Sequence, residues 1–200
     1  PCGTLFPYTT LFRSTSEEDF VALWRFTVEY LRDERGVTNL IYAFSPDRSR
    51  MNLRRLPESY LYGYPGDEYV DILGLDNYWD LGHPANRDSI QTRKQNFVAI
   101  LEAIVDLAAE RGKLAAMTEG GQEAIREEHF WTDQVLAGLL ASERTRRLSY
   151  LLVWRNANRA RENWDHFFAS YRGHSSEEDF RAFAGHPLIL FEDDLPALYE

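Results

Sequence analysis

Glu119 closes a short apolar run, "LAAMTE", and two glycines follow it. A carboxylate at the end of a buried strand can act as a nucleophile or as an acid/base group, and glycines beside it let backbone or ligand come close. Other strand-like runs end comparably. One finishes in Ser45-Pro46-Asp47, a second in Asp76-Asn77-Tyr78-Trp79 and a third in Trp154-Arg155-Asn156. Carboxylates, a phenol, indoles and a guanidinium are what a carbohydrate site needs. Flat rings stack on sugars, carboxylates do acid/base or nucleophilic work, and polar forks take hydroxyls. Taken alone, Glu119 fits a solvated loop acid better than a catalytic one, and the flanking glycines and Tyr78 shift that balance. A Tyr78 hydroxyl on a neighbouring strand end would donate to it and favour its charged form. Asp76 fits a hydrogen-bond organiser better than an acid. Trp154 suits either core or site. Trp79 and Trp131 sit in polar loop sequence, which places them on the surface, and Asn77 adds a polar fork to the rim.

The elements that would position these residues follow from periodicity. Thr15 and Glu18 form a capping-box pattern, after which Phe20, Leu23, Trp24, Thr27 and Leu31 recur at helical spacing until Gly36. Residues 39–46 and 69–78 are continuous apolar runs that read as strands buried on both faces. A short helix fits near 57–63. Asp88 to Arg111 carries an apolar stripe of Phe97, Ile100, Leu101, Ile104, Val105 and Ala108, closed by Gly112. Residues 113–119 form a third strand, Thr132 to Glu143 a helix and 148–157 a fourth strand. A last helix starts at the 174–180 cap. The pentapeptide "SEEDF" occurs at 16–20 and at 176–180, as two independent helix caps. Strand and helix alternation predicts an α/β fold with a parallel sheet and right-handed crossovers, with chemistry at the strands' carboxyl ends.

Composition narrows the chemistry. The chain has 200 residues, 44% hydrophobic and 27% charged, with a net charge of −10. That balance argues against nucleic acid, which calls for a basic patch. The cluster at Arg144 to Leu148 is better explained as cations in the last turn of a helix. The single cysteine, Cys2, excludes an intrachain disulfide and a cysteine-based zinc site, and the five histidines lack metal-ligand spacing. No metal or cofactor is expected. There is no nucleotide-binding glycine fingerprint, no membrane-length apolar run and no visible signal peptide. Residues 1–14, "PCGTLFPYTTLFRS", fit neither period and read as a non-native, adapter-like leader ahead of one domain over 15–200.

The stretches "YAFSPD", "YPGDEYVDILGLDNY", "KLAAMTEGG", "YLLVWRNA" and "FEDDLPALY" together resemble glycoside hydrolase family 26, mostly endo-β-1,4-mannanases. The resemblance runs in order from about Thr15 to Glu200. It implies a (β/α)8 TIM barrel of which this chain holds the C-terminal half, strands five to eight. Glu119 resembles the family nucleophile and Tyr78 the tyrosine that hydrogen-bonds it, with Asp76 two residues before. Trp154 resembles the indole flooring the subsite of the attacked sugar, and Arg155 follows as in many members. The family acid/base is a glutamate in a His-Glu motif that belongs upstream of residue 16, and no such motif stands there. The resemblance therefore implies a fragment of a retaining hydrolase of β-mannan, inactive alone, from a parent that is secreted or held at the cell envelope. β-1,3-Xylan and mixed-linkage β-glucan are the alternative substrates, and a non-catalytic carbohydrate-binding remnant is the alternative role. A half barrel would also leave exposed edges through which copies could associate.

Overall fold

The computed structural model describes residues 16–158, 160–162 and 166–196; the leader and Thr15 lie outside them. Helix α1 spans Glu17–Glu29, and its cap is Ser16, whose hydroxyl accepts from the Asp19 amide at 3.1 Å. Three acids in its first turn sit at the positive end of the helix dipole. The chain continues in a wider turn over Tyr30–Glu34. The inward stripe is narrower than its spacing predicts. Phe20 and Trp24 pack against the core and Val28 is buried, whereas Leu23 and Thr27 are exposed. The helix is pinned along that narrow face. The Trp24 indole donates to Tyr69 O at 3.0 Å and Arg25 donates to Pro65 O at 2.7 Å.

The sheet is parallel. Strand β1 (Ala43–Phe44) pairs with β2 (Ile72–Asn77), which pairs with β3 (Leu114–Gly120), in spatial order β1-β2-β3. A fourth segment runs alongside β3. Its Leu151 bridges Met117 in parallel, and backbone bonds join Met117 N to Tyr150 O, Leu152 N to Met117 O and Trp154 N to Gly120 O at 2.9–3.1 Å. The 39–46 run departs from expectation. Only two of its residues join the ladder, and Leu40 and Ile41 are 44% and 70% exposed. Among the described residues the run lies at the edge of the sheet, with a strand neighbour on one side only.

Helix α2 spans Ile90–Arg111, capped by the Ser89 hydroxyl and ended by Gly112 at φ +65°. Its buried stripe includes the six residues expected from periodicity. It packs against β2 and β3, and its stripe shares one core with the fully buried Leu73 and Leu75 of β2. A wide helical turn over Phe130–Leu136 leads into α3 (Ala137–Leu140), where Gly138 allows close approach to α2: an added Cβ would fall 2.5 Å from the Phe97 ring. In place of a helix over 57–63 there is a short 3-10 turn at Leu53–Arg55 followed by turns. Helix α4 spans Glu177–Ala184.

Candidate active site

The carboxyl ends of the parallel strands form one rim, and a slip in register decides what stands on it. Gly74 pairs with Ala116 but Asp76 pairs with Glu119, so β3 carries one residue more than β2 across that interval. Side chains alternate faces along a strand, and an extra residue flips the alternation beyond it. Thr118 and Glu119 therefore both come to the face of Gly74 and Asp76. Gly74 makes room for this, since a Cβ there would lie 2.7 Å from Thr118 Oγ1 and 3.0 Å from Ser45 Cβ. Across that gap the Ser45 and Thr118 hydroxyls are hydrogen-bonded.

On the rim, Tyr78 Oη donates to Glu119 Oε1 at 2.8 Å. Burial, then the Glu119 hydrogen bond and charge, push the phenol far above its usual range, so Tyr78 stays a donor at every working pH. Asp76 is pushed up to about 8, chiefly by burial and then by Glu119 and Asp47. It is largely uncharged at neutral pH, and its Oδ1 is buried without a hydrogen-bond partner. Gly120 lets the two strands close just past Glu119, because a Cβ would meet Asn77 O at 2.9 Å. A groove of about 780 Å³ reaches the rim from the β1 side and is lined by Trp24, Phe44, Asp47, Met51 and Asp76 among others. It adjoins the acids without including Glu119.

Two expected rim residues lie elsewhere. Asn77 is fully buried and bonded to Asp80 in both directions: its Nδ2 donates to Asp80 Oδ2 at 3.2 Å, and its Oδ1 accepts from the Asp80 amide at 3.0 Å. Strand alternation turns Asn77 away from Asp76 and Tyr78. Trp131 is 1% exposed, packed among Phe130, Phe180 and Phe183, with its indole donating to Ser170 Oγ at 2.8 Å. It is core.

The remaining candidates stay at the surface. Trp154 is half-buried beside Gly120, and Trp79 is half-buried and stacked on His83 with ring centroids 5.7 Å apart. Arg155 is exposed and held in a two-pronged ion pair with Glu162, at 2.7 and 3.0 Å.

Sequence reasoning missed what braces the rim from behind. Arg48 Nε pairs with Asp80 Oδ2 at 2.7 Å, both buried, and Gln134 donates to Asp80 O at 2.7 Å. Gln122 ties the loop after β3 to Leu81 O and to Glu127, and Glu127 pairs with Arg93. The spacing of polar residues gives no sign of these partners, which come from different loops. Among the described residues no group of three or more metal-ligating side chains gathers, and no helix is long and apolar enough to cross a membrane.

The profile of glycosyl hydrolase family 26 matches residues 8–136. The chain belongs to that family. The match begins inside the segment expected to be a leader. Over 179 residues the chain is 33% identical to a mannan endo-1,4-beta-mannosidase of Bifidobacterium adolescentis, a span that covers 84% of this chain and 17% of that protein. The fold superposes on a family 26 beta-mannanase of Bacteroides ovatus with a TM-score of 0.75 and 34% identity, covering 92% of this chain and 48% of that one. It superposes on a modular endo-beta-1,4-mannanase of Cellulomonas fimi with a TM-score of 0.76 and 33% identity, covering 92% and 39%. The family 26 chain thus spans less than half the length of these relatives.

Proposed function

We propose that this chain carries the nucleophile-bearing half of a retaining hydrolase of β-1,4-mannan. The observation that supports it best is the Tyr78 hydroxyl on Glu119 at the carboxyl ends of adjacent parallel strands, with Asp76 beside them. In this reading Glu119 attacks the anomeric carbon of the mannosyl unit and the glycosidic bond breaks. A second carboxyl group protonates the departing oxygen, then activates the water that frees the sugar. Retention requires the two carboxyl groups about 5–5.5 Å apart. The partner is a glutamate outside these 200 residues. Tyr78 orients Glu119, and Asp76, uncharged at neutral pH, spares it a second negative charge on its own face. Trp154 floors the subsite of the attacked sugar, and Arg155 and Trp79 line its flanks.

The same reading assigns β1, β2, β3 and the fourth segment to strands five to eight of a (β/α)8 barrel. The place of β1 at the edge of the sheet among the described residues and the coverage of under half of each solved relative support it. The polysaccharide, or oligosaccharides cut from it, is the partner. The deciding experiment measures galactomannan hydrolysis in the completed barrel. Glu119→Gln should lower kcat by ~10³-fold or more with little change in KM. Near-normal turnover in that variant would remove Glu119 from the chemistry.

A further inference from the structure

The phenol of Tyr78 is held by a residue far along the chain. Phe168 is 9% exposed, and its ring meets that of Tyr78 edge-to-face, with centroids 5.5 Å apart and planes at 68°. On another side Phe168 lies against Gly121. There φ is +129°, and an added Cβ would sit 3.2 Å from Phe168 Cδ1. Phe168 belongs to neither helix nor strand, so something else must fix it, and Asn156 does. Its Oδ1 accepts from the amides of Phe168 and Ala169, both at 2.9 Å, and its Nδ2 donates to Ala169 O at 2.9 Å. Two backbone bonds of 2.8 Å complete the brace, Ala157 N to His166 O and Ala124 N to Phe167 O. The second ties this segment to the loop that leaves Glu119.

We propose that Phe168 is a positioning residue for the site: wedged between Tyr78 and Gly121 and anchored by Asn156, it fixes the phenol so that its hydroxyl reaches Glu119. The proposal rests on the roles given above to Glu119 and Tyr78. It also gives the paired glycines separate duties. Gly120 lets the strands close against Asn77 O, and Gly121 leaves the space that Phe168 enters. A rim hydroxyl without such packing would share its time among rotamers, and a site loses precision when its supporting shell is loose.

The test uses the 200-residue chain labelled with tyrosine carrying carbon-13 at Cζ, a nucleus that senses hydrogen bonding of the phenol. Tyr78→Phe assigns the resonance at neutral pH. Glu119→Ala, which removes the acceptor, should move the Tyr78 signal towards that of exposed tyrosines, and Phe168→Ala should move it at least about half as far. Phe168→Tyr, which refills the wedge, should restore it, and melting curves verify that each variant is folded. If Glu119→Ala moves the signal and Phe168→Ala leaves it in place, Phe168 does not position Tyr78, while the Tyr78–Glu119 contact stands. If Glu119→Ala itself changes nothing, the contact is not formed, and the site reading falls together with the proposal.

Discussion

Asp76 and Glu119 stand opposite one another on β2 and β3 only because β3 holds one residue more than β2 just before them. In even register Glu119 would face Asn77, whose side chain is sealed in the interior. The slip thus sets one half-buried acid beside another at the mouth of the sheet, which shapes how this protein responds to pH.

Asp76 faces Glu119, Asp47 and Tyr78, and its folded-state value is raised to about 8 from an ordinary value near 4. The folded chain therefore holds a proton there that the unfolded chain has released. That contribution to stability is full below pH ~4, declines as pH climbs and is gone above ~8. Buried Asp80 is raised as well and acts in the same sense. The melting temperature should fall between pH 5 and 9, and Asp76→Asn should flatten the decline. An equally steep decline in Asp76→Asn would remove this residue as its source.

The buried pair of Arg48 and Asp80 anchors the turn after β2, with Asn77 and Gln134 as further partners. Removing one member strands a charge. Arg48→Met should destabilise the fold by about 3–5 kcal/mol in denaturant titration, since an unpaired buried carboxylate remains. A loss below ~1 kcal/mol would show that solvent or another group satisfies Asp80.

Two tryptophans should separate cleanly. Trp131→Ala removes a core indole and should cost about 3–5 kcal/mol of stability. Trp154→Ala, at the half-buried rim, should weaken binding of mannooligosaccharides while changing stability far less. Calorimetry and melting on the same pair of variants check this. Equal stability losses would place Trp154 in the core too.

Among the described residues, apolar side chains stand exposed at both outer strand positions: Leu40 and Ile41 just before β1, and Leu152 in the fourth segment. Unpaired edges with apolar neighbours favour association. Sedimentation should show a mass that grows with concentration, and Ile41→Lys should reduce that growth. A monomer at all concentrations would contradict it.

The order of strands and helices was legible because long apolar periods survive in sequence, as in α2. The strand ends carrying Asp76, Tyr78 and Glu119 were legible for the same reason. The burial of Asn77 was within reach, since alternation alone turns it from its neighbours. The slip in β3 was not, because it is a relation between two strands. Trp131 looked like a loop residue because its packing partners Phe180 and Phe183 lie some fifty positions away. Phe168 escaped notice because its contacts with Tyr78 and Gly121 are likewise remote in sequence.

The most direct test of the central claim is covalent trapping. The completed enzyme is incubated with 2-deoxy-2-fluoro-β-mannosyl fluoride. A carboxylate nucleophile displaces fluoride from the anomeric carbon and forms a slowly hydrolysed ester. Peptide mass spectrometry then locates the sugar. The account predicts a single glycosyl group on Glu119 and none in Glu119→Gln. A label on another carboxylate, with Glu119 unmodified, would contradict it.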